Sequence, residues 1–556
     1  MNTYKDIILK PISPMEKCFL DESIEDKQRR EQFSAFRGER LSLQIAYTTK
    51  KITRNVPKIR IRLEGSAAPY ATVCEVVSIA NAYPVHPTNR EGEYLRTEAG
   101  LYPDLIQPLR YEGCIRLIHG QLRSLWVDID MDESAPAGDY ELTVVFESES
   151  AEMSSERVSV GISLLDTALP PQRLIHTEWF YTDCIAEAHK VEVFSEEHWT
   201  LIGKYLRMAV ESGINMILTP IFTPELDTYI GGERLTTQLI GITVDAPNVY
   251  RFDTSRLERW IELCLSAGVK YFEIPHFFTQ WGAEHAPKFI ASVNGEEKRI
   301  FGWETDATSE EYKLFLSQLI PTVLDVFRAR GLDKNCYFHV SDEPNVKHID
   351  TYKRSKDIIA PYLEGYNVID ALSDFDFYSL GILKKPVPAI KHIKPFLENK
   401  VEGLWAYYCG ASGNPAPTTD RFLSVPLART RILGVQLYLA RIEGFLHWGY
   451  NFYHNQNSYN VTDPYLSAHG DYFAPTGDAF LVYPGDDGPW SSIRLYAMRA
   501  AMDDLRALEL CESVRGREFT EQLVRDAAGM DVSFFEYPCD NGFFERLRAA
   551  IADAVK

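Results

Sequence analysis

The sequence predicts a multidomain α/β protein: an N-terminal antiparallel β-sandwich, then a (β/α)8 TIM barrel, then a C-terminal helical segment. Three observations carry this. At 556 residues the chain is long enough for two or three domains. Short runs of alternating apolar and polar residues fill roughly the first 170 positions. From about residue 172 the pattern changes to strand-like runs alternating with amphipathic helical stretches.

In the first part, alternation is clear in Arg60-Ile61-Arg62-Leu63, in Leu125-Trp126-Val127-Asp128-Ile129-Asp130 and in Tyr140-Glu141-Leu142-Thr143-Val144-Val145. Turn residues such as Ala135-Pro136-Ala137-Gly138-Asp139 punctuate these runs. Short strands at this spacing suggest a sandwich. Thr167-Ala168-Leu169-Pro170-Pro171 reads as a linker. Strands are expected at 176–183, 214–218, 271–276, 337–340, 368–372, 387–393, 404–409 and 445–450. Helices are clearest at 195–211, 255–266, 310–330 and 427–441, where apolar residues recur at helical spacing. Eight strands alternating with helices match a (β/α)8 barrel. An open doubly wound sheet would fit too, but no glycine-rich phosphate loop follows the first strand. The expected domains are 1–170, 171–510 and 511–556.

Composition narrows the function classes. Hydrophobic residues make up 45% and charged residues 25%, the balance of a soluble globular protein. The formal charge of −21, with no Lys/Arg-rich block, argues against nucleic acid. Nine scattered cysteines without a CxxC pair read as reduced thiols, neither a disulfide frame nor a zinc site. No stretch is apolar enough to span a membrane, and Ile7-Ile8-Leu9 is too short for a signal-peptide core. A cytoplasmic protein without cofactor or metal, and not a membrane binder, is expected. Asp486-Asp487-Gly488 reads as a turn, because it lacks the alternating ligands of a calcium loop. No G-x-S-x-G elbow is present.

The chemistry points to Val340-Ser341-Asp342-Glu343-Pro344, where two adjacent carboxylates follow an apolar strand and precede a helical stretch. Barrels present catalytic groups at the C-terminal ends of their strands. The other strand ends would bring Trp179, Asp183, His276, Asp374, Asp376, Trp405, Tyr407, Tyr408, Trp448, Tyr450 and Asn451 to the same mouth. Such a mixture suits a sugar, whose apolar C–H faces stack on aromatic rings and whose hydroxyls pair with carboxylates and amides. Adjacent carboxylates cannot easily flank one glycosidic bond from opposite sides. They fit the substrate-assisted variant, in which a 2-acetamido group is the nucleophile. The same four residues, Ser341 to Pro344, also suit a plain helix cap. Barrel aromatics commonly fill the core, His276 has an even chance of being a core histidine, and His339 reads as structural.

These residues resemble glycoside hydrolase family 123, the β-N-acetylgalactosaminidases. Val340–Pro344 matches the family's adjacent Asp-Glu pair after the fourth barrel strand. Gly444-Phe445-Leu446-His447-Trp448-Gly449-Tyr450-Asn451 matches its eighth strand. Tyr483-Pro484-Gly485 with Ser492-Ile493-Arg494-Leu495 matches the closing segment. Leu101-Tyr102-Pro103-Asp104-Leu105 and Trp126 with Pro136-Ala137-Gly138-Asp139-Tyr140 fit in the first domain. The resemblance spans about 95 to 510. It implies retaining, substrate-assisted removal of terminal β-linked N-acetylgalactosamine. Asp342 would then orient the acetamido group and Glu343 would be the general acid/base, with Trp405, Tyr408, Trp448 and Asn451 as pocket residues. The family's acidic, glycine-containing helix start is replaced here by Met498-Arg499-Ala500-Ala501-Met502-Asp503-Asp504, a departure that bears on substrate more than mechanism. A β-N-acetylglucosaminidase and a catalytically silent carbohydrate-binding protein are the competing readings.

Overall fold

The computed structural model describes residues 5–88, 92–131, 134–280, 282–410 and 418–556. Two sheets form the N-terminal region. The larger orders Ile8–Ile12, Leu41–Thr48, Arg123–Ile129, Ala71–Asn81 and Gly100–Pro108, all antiparallel. The smaller orders Gln32–Arg37, Glu156–Ala168, Gly138–Ser148, Lys58–Glu64 and Cys114–Arg116. Inward residues alternate with outward ones, as period-two backbone requires. Leu43, Ile45, Leu125 and Val127 from one sheet meet Leu142, Val144, Val158 and Val160 from the other in a single buried core. The expected all-antiparallel sandwich needs one correction, since Gln32–Arg37 runs parallel to Glu156–Ala168. The two strands lie far apart in sequence, so no hairpin fixes their direction.

The second region is a nearly closed parallel barrel. Its eight strands are Ile175–Glu178, Met216–Leu218, Tyr271–Ile274, Cys336–Phe338, Asn367–Ala371, Lys385–Val387, Trp405–Tyr407 and Gly444–His447. Each pairs with its neighbour in sequence except the sixth with the seventh, and the first pairs with the eighth. The sixth and seventh meet only through a parallel bridge between Ala389 and Tyr407, supported by Tyr407 N–H donating to Pro388 at 3.1 Å. The arrangement fits a (β/α)8 fold. Met216, Leu218, Ile369, Val387, Trp405 and Leu446 fill the interior, while Ile217, Phe272, Phe338 and Phe445 face the surrounding helices. The sixth strand starts and ends earlier than its sequence suggests, because 390–392 turn into a short 3-10 helix.

Serines fix the starts of the main helices. Ser195 accepts from His198 N–H ahead of Glu196–Glu211, and Ser309 accepts from Tyr312 N–H ahead of Glu310–Arg328. The extensions after strands two and three build a sheet that was not anticipated, in the order Val249–Asp253, Gly241–Ala246, Phe289–Val293 and Glu296–Phe301. Late in the chain, Tyr483–Pro484 and Pro489–Ser492 return to the N-terminal sheet, where Ser491 and Ser492 pair with Ile106 and Leu105. Ser492 then caps the long helix Ile493–Arg515, and Arg517–Ala528 and Asn541–Ala554 pack onto it. All nine cysteine thiols are free, and among the described residues no helix is long and apolar enough to cross a membrane.

Candidate active site

The fourth strand ends at Phe338, and the chain then runs to Pro344 through a turn stitched on every side. Val340 N–H donates to the Asp370 carboxylate at 2.9 Å. Ser341 Oγ donates to the Thr279 carbonyl at 2.9 Å. Glu343 N–H donates to Ala371 at 3.2 Å, and Glu343 itself sits at φ 43°, a left-handed conformation that a non-glycine residue adopts only under constraint. The turn half-buries Asp342 and leaves Glu343 exposed.

Beneath it lies a buried charge network. His339 faces Glu273 at 2.7 Å through Nε2 and Asp370 at 3.3 Å through Nδ1. Tyr352 Oη donates to the second Asp370 oxygen at 2.5 Å. Burial alone would push the His339 imidazole down, but the hydrogen bonds to Asp370 and Glu273 outweigh it and raise the pKa to about 9. His276 stacks on His339 with centroids 4.3 Å apart, and burial beside that charge holds it well below 6.5, in the neutral form. Among the described residues, neither His276 ring nitrogen has a hydrogen-bond partner.

Above the network opens a cavity of about 250 Å³, a size suited to one sugar ring rather than a chain. Trp179, Tyr181, Tyr407, Trp448 and Phe473 are its aromatic walls, and Asp227, Gln280, Asn457, Asp342 and Glu343 its polar ones. Tyr407 Oη donates to Glu343 Oε1 at 2.5 Å and fixes that side chain at the cavity's edge. Burial, reinforced by the Glu343 charge, drives the Asp342 carboxyl well above the usual carboxylate range. Burial also lifts Asp227 to about 6, even though its carboxylate accepts from Asn457 N–H at 3.1 Å.

The structure brings Trp179, Asp342, Glu343 and Trp448 into this cavity. The other expected residues lie around it. His276 sits edge-on to Trp179, at 5.7 Å between centroids. Asp183 forms a buried ion pair with Arg234 at 2.6 Å, and that guanidinium lies over the Tyr181 ring. Asn451 both donates to Tyr181 O and accepts from Tyr181 N–H at 2.9 Å, so it shapes the wall from behind. Trp405 is fully buried in the barrel interior, packed against Gly444, and Tyr408 faces the helices with its hydroxyl 3.6 Å from Met498 Sδ. Asp374 caps the short helix Phe375–Ser379, and Asp376 lies exposed in its first turn.

Tyr407 takes the place at the cavity that Trp405 and Tyr408 do not. Period-two alternation puts Trp405 and Tyr407 on the inner face with Tyr407 nearer the mouth, so this signal was present in the sequence. Asp227 and Gln280 come from irregular loops and Asn457 from the short 3-10 turn Gln456–Ser458, none of which carries a periodic signal. Among the described residues, two groups of ligand-type atoms are compact enough for a cation: Asp183, Cys184, Glu187 and His454, and His276, His339 and Asp370. Their carboxylates already face cationic or imidazole partners: Arg234 for Asp183, His454 for Glu187 and His339 for Asp370.

The model of the glycoside hydrolase 123 catalytic domain matches residues 179–511. A solved family 123 glycoside hydrolase from Clostridium perfringens, described for glycolipid glycan hydrolysis, is 14% identical. It superposes with a TM-score of 0.72, covering 99% of this chain and 98% of that one. A putative β-galactosidase from Bacteroides fragilis is 8% identical over 80% of this chain and 56% of its own, with a TM-score of only 0.29. No curated protein matches. The family match covers more than half the chain and includes the adjacent carboxylates, the aromatic walls and the closing helix: the protein belongs to glycoside hydrolase family 123 and is a glycosidase.

Proposed function

We propose that the protein is an exo-acting β-N-acetylhexosaminidase that releases terminal N-acetylgalactosamine with retention, using the substrate's own 2-acetamido group as nucleophile. The observation that carries this reading is the placement of the two carboxyl groups. Asp342 lies inside the aromatic cavity and Glu343 at its edge, and they are sequence neighbours on one turn. Side by side, they do not reach opposite faces of one glycosidic bond.

In this mechanism Asp342 accepts a hydrogen bond from the acetamido N–H and turns the acetamido oxygen towards C1. Glu343 gives its proton to the glycosidic oxygen. The C1–O bond to the aglycone breaks as the bond from the acetamido oxygen forms, giving an oxazolinium ion. Glu343, now a carboxylate, takes a proton from water as that water opens the ring from the original face. In the empty cavity burial favours the proton on Asp342. An incoming N–H favours the ionised form of Asp342, the form that can accept its hydrogen bond. The buried His339 imidazolium steadies the Asp342 charge from below. Trp448 and Trp179 offer faces for the sugar ring, and Asp227, Gln280 and Asn457 offer partners for its hydroxyls.

The test is hydrolysis of p-nitrophenyl β-N-acetylgalactosaminide, with the N-acetylglucosaminide and the β-galactoside beside it. Release from the first alone is expected. Equal release from the β-galactoside would overturn acetamido assistance, and preference for the glucosaminide would overturn the sugar assignment. Binding without any turnover would favour a silent carbohydrate-binding protein.

A further inference from the structure

A second, wider cavity of about 600 Å³ adjoins the sugar pocket, and the two share Glu343 and Tyr407 as their common wall. A glycosidase's general acid stands between the ring it frees and the group that leaves. The wider cavity therefore lies on the leaving-group side. Phe375 and Tyr407 give it apolar faces, and Lys391, His392 and Lys394 line the far wall.

Its charge runs against that of the whole molecule. The chain carries −21, yet residues 384–400 hold five lysines against one glutamate. They are too widely spaced to form a block in the sequence, and the fold gathers part of them at this wall. Lys391 is half-buried, and among the described residues it has no hydrogen-bond or ion-pair partner. Its charge is felt on both sides, by His392 in the wider cavity and by the Cys409 thiol in the sugar pocket. Lys394 reaches Glu398 only across an exposed 3.8 Å gap. Of the cavity's carboxylates, Asp374 is held by the Asp376 N–H at 3.2 Å, and Glu343 is the acid that must carry a proton.

Resting on the glycosidase reading above, we propose that this cavity seats the leaving sugar and that Lys391 and Lys394 bind an acidic group on it. The preferred substrate is then an N-acetylhexosamine β-linked to an anionic sugar, its charge a uronic carboxylate or a sulfate ester. A partly exposed lysine pair acting on such a group gives a preference of about tenfold.

The test compares three disaccharides with the same amino sugar and linkage, whose reducing-side sugar is a neutral hexose, the matching hexuronic acid or the sulfated hexose. The expected kcat/KM is about tenfold higher for at least one acidic arm, with the gap narrowing as salt is raised. The arm that leads identifies the anion. In Lys391→Met/Lys394→Met the ratio of acidic to neutral falls towards one. A neutral arm hydrolysed as well as both acidic arms, or a preference that survives in the double variant, overturns the proposal. If even the aryl N-acetylgalactosaminide resists hydrolysis, the functional reading fails on its own account. Calorimetry on the intact Glu343→Gln protein still judges the groove: tighter, salt-sensitive binding of an acidic disaccharide, lost with Lys391→Met, supports it, and equal binding of neutral and acidic disaccharides overturns it.

Discussion

Asp342 and Glu343 are chemically near-identical side chains that one left-handed turn places differently, Asp342 half-buried and Glu343 exposed and held by Tyr407. Glu343→Gln removes proton donation and leaves the Tyr407 contact largely in place. It is expected to cost about 10²–10⁴ in kcat on substrates with poor leaving groups, and far less on activated aryl glycosides, which need little protonation. Equal loss on both, read from steady-state kinetics, would exclude Glu343 as the acid. Asp342→Asn leaves nothing to take the charge developing on the acetamido nitrogen, so every acetamido substrate slows by about 10²-fold or more; unchanged kcat would exclude this role. His339 supplies a prediction on stability. Its folded pKa of about 9 exceeds the ordinary 6.5, so the imidazolium's contribution is complete below about pH 6.5 and is lost as pH rises through 9. At about 1.4 kcal/mol per unit the ceiling is on the order of 3 kcal/mol. Melting temperature should therefore fall across this window in the native protein and less steeply in His339→Gln.

At the scale of elements, the barrel strands were legible because buried parallel strands read as short apolar runs between turn signals. The sixth was misplaced because Pro386 and Pro388 flank Val387 and obscure where pairing stops. The small sheet after strands two and three was missed because Glu296–Phe301 is mostly polar and exposed, which leaves no apolar face to detect. That the adjacent carboxylates Asp342 and Glu343 would lie at the barrel mouth was legible from their place after an apolar strand, whereas Asp227, Gln280 and Asn457 reach the cavity only along chain paths that tertiary contacts decide. Helix packing offers a sharp test. A Cβ on Gly434, in Leu433–Leu439, would meet the Ala501 carbonyl oxygen at 1.8 Å, and that oxygen belongs to the backbone of Ile493–Arg515. Gly434→Ala must force the helices apart and is expected to cost about 1–3 kcal/mol or more. Gly100→Ala, with open space around it, should change the urea midpoint little.

At the scale of the whole molecule, the two regions are bolted together by charge as well as apolar packing. Asp104, in the N-terminal sheet, accepts from Arg494 Nε and Nη2 at 2.9 Å and from Tyr483 Oη at 2.6 Å, all fully buried. Lys17 reaches across to the carbonyls of Leu423 and Val425 at 2.8 Å. Removing one member of a buried pair strands the other, so Arg494→Met is expected to cost about 3–5 kcal/mol, measured by urea unfolding. A fragment starting at residue 171 would deprive Arg494 of the Asp104 carboxylate and Pro489–Ser492 of its pairing with Gly100–Pro108, and circular dichroism of it should show no cooperative melting. These contacts hold the frame on which the barrel mouth, its aromatic cavity and its basic outer wall are built. In the proposed mechanism the substrate's acetamido oxygen attacks C1 at that mouth. It is tested most directly by aryl N-acetylgalactosaminides bearing one, two and three fluorines on the acetyl group. A kcat/KM that falls steeply with each fluorine is the result predicted, because fluorine weakens that oxygen as a nucleophile. A rate indifferent to fluorination would contradict it.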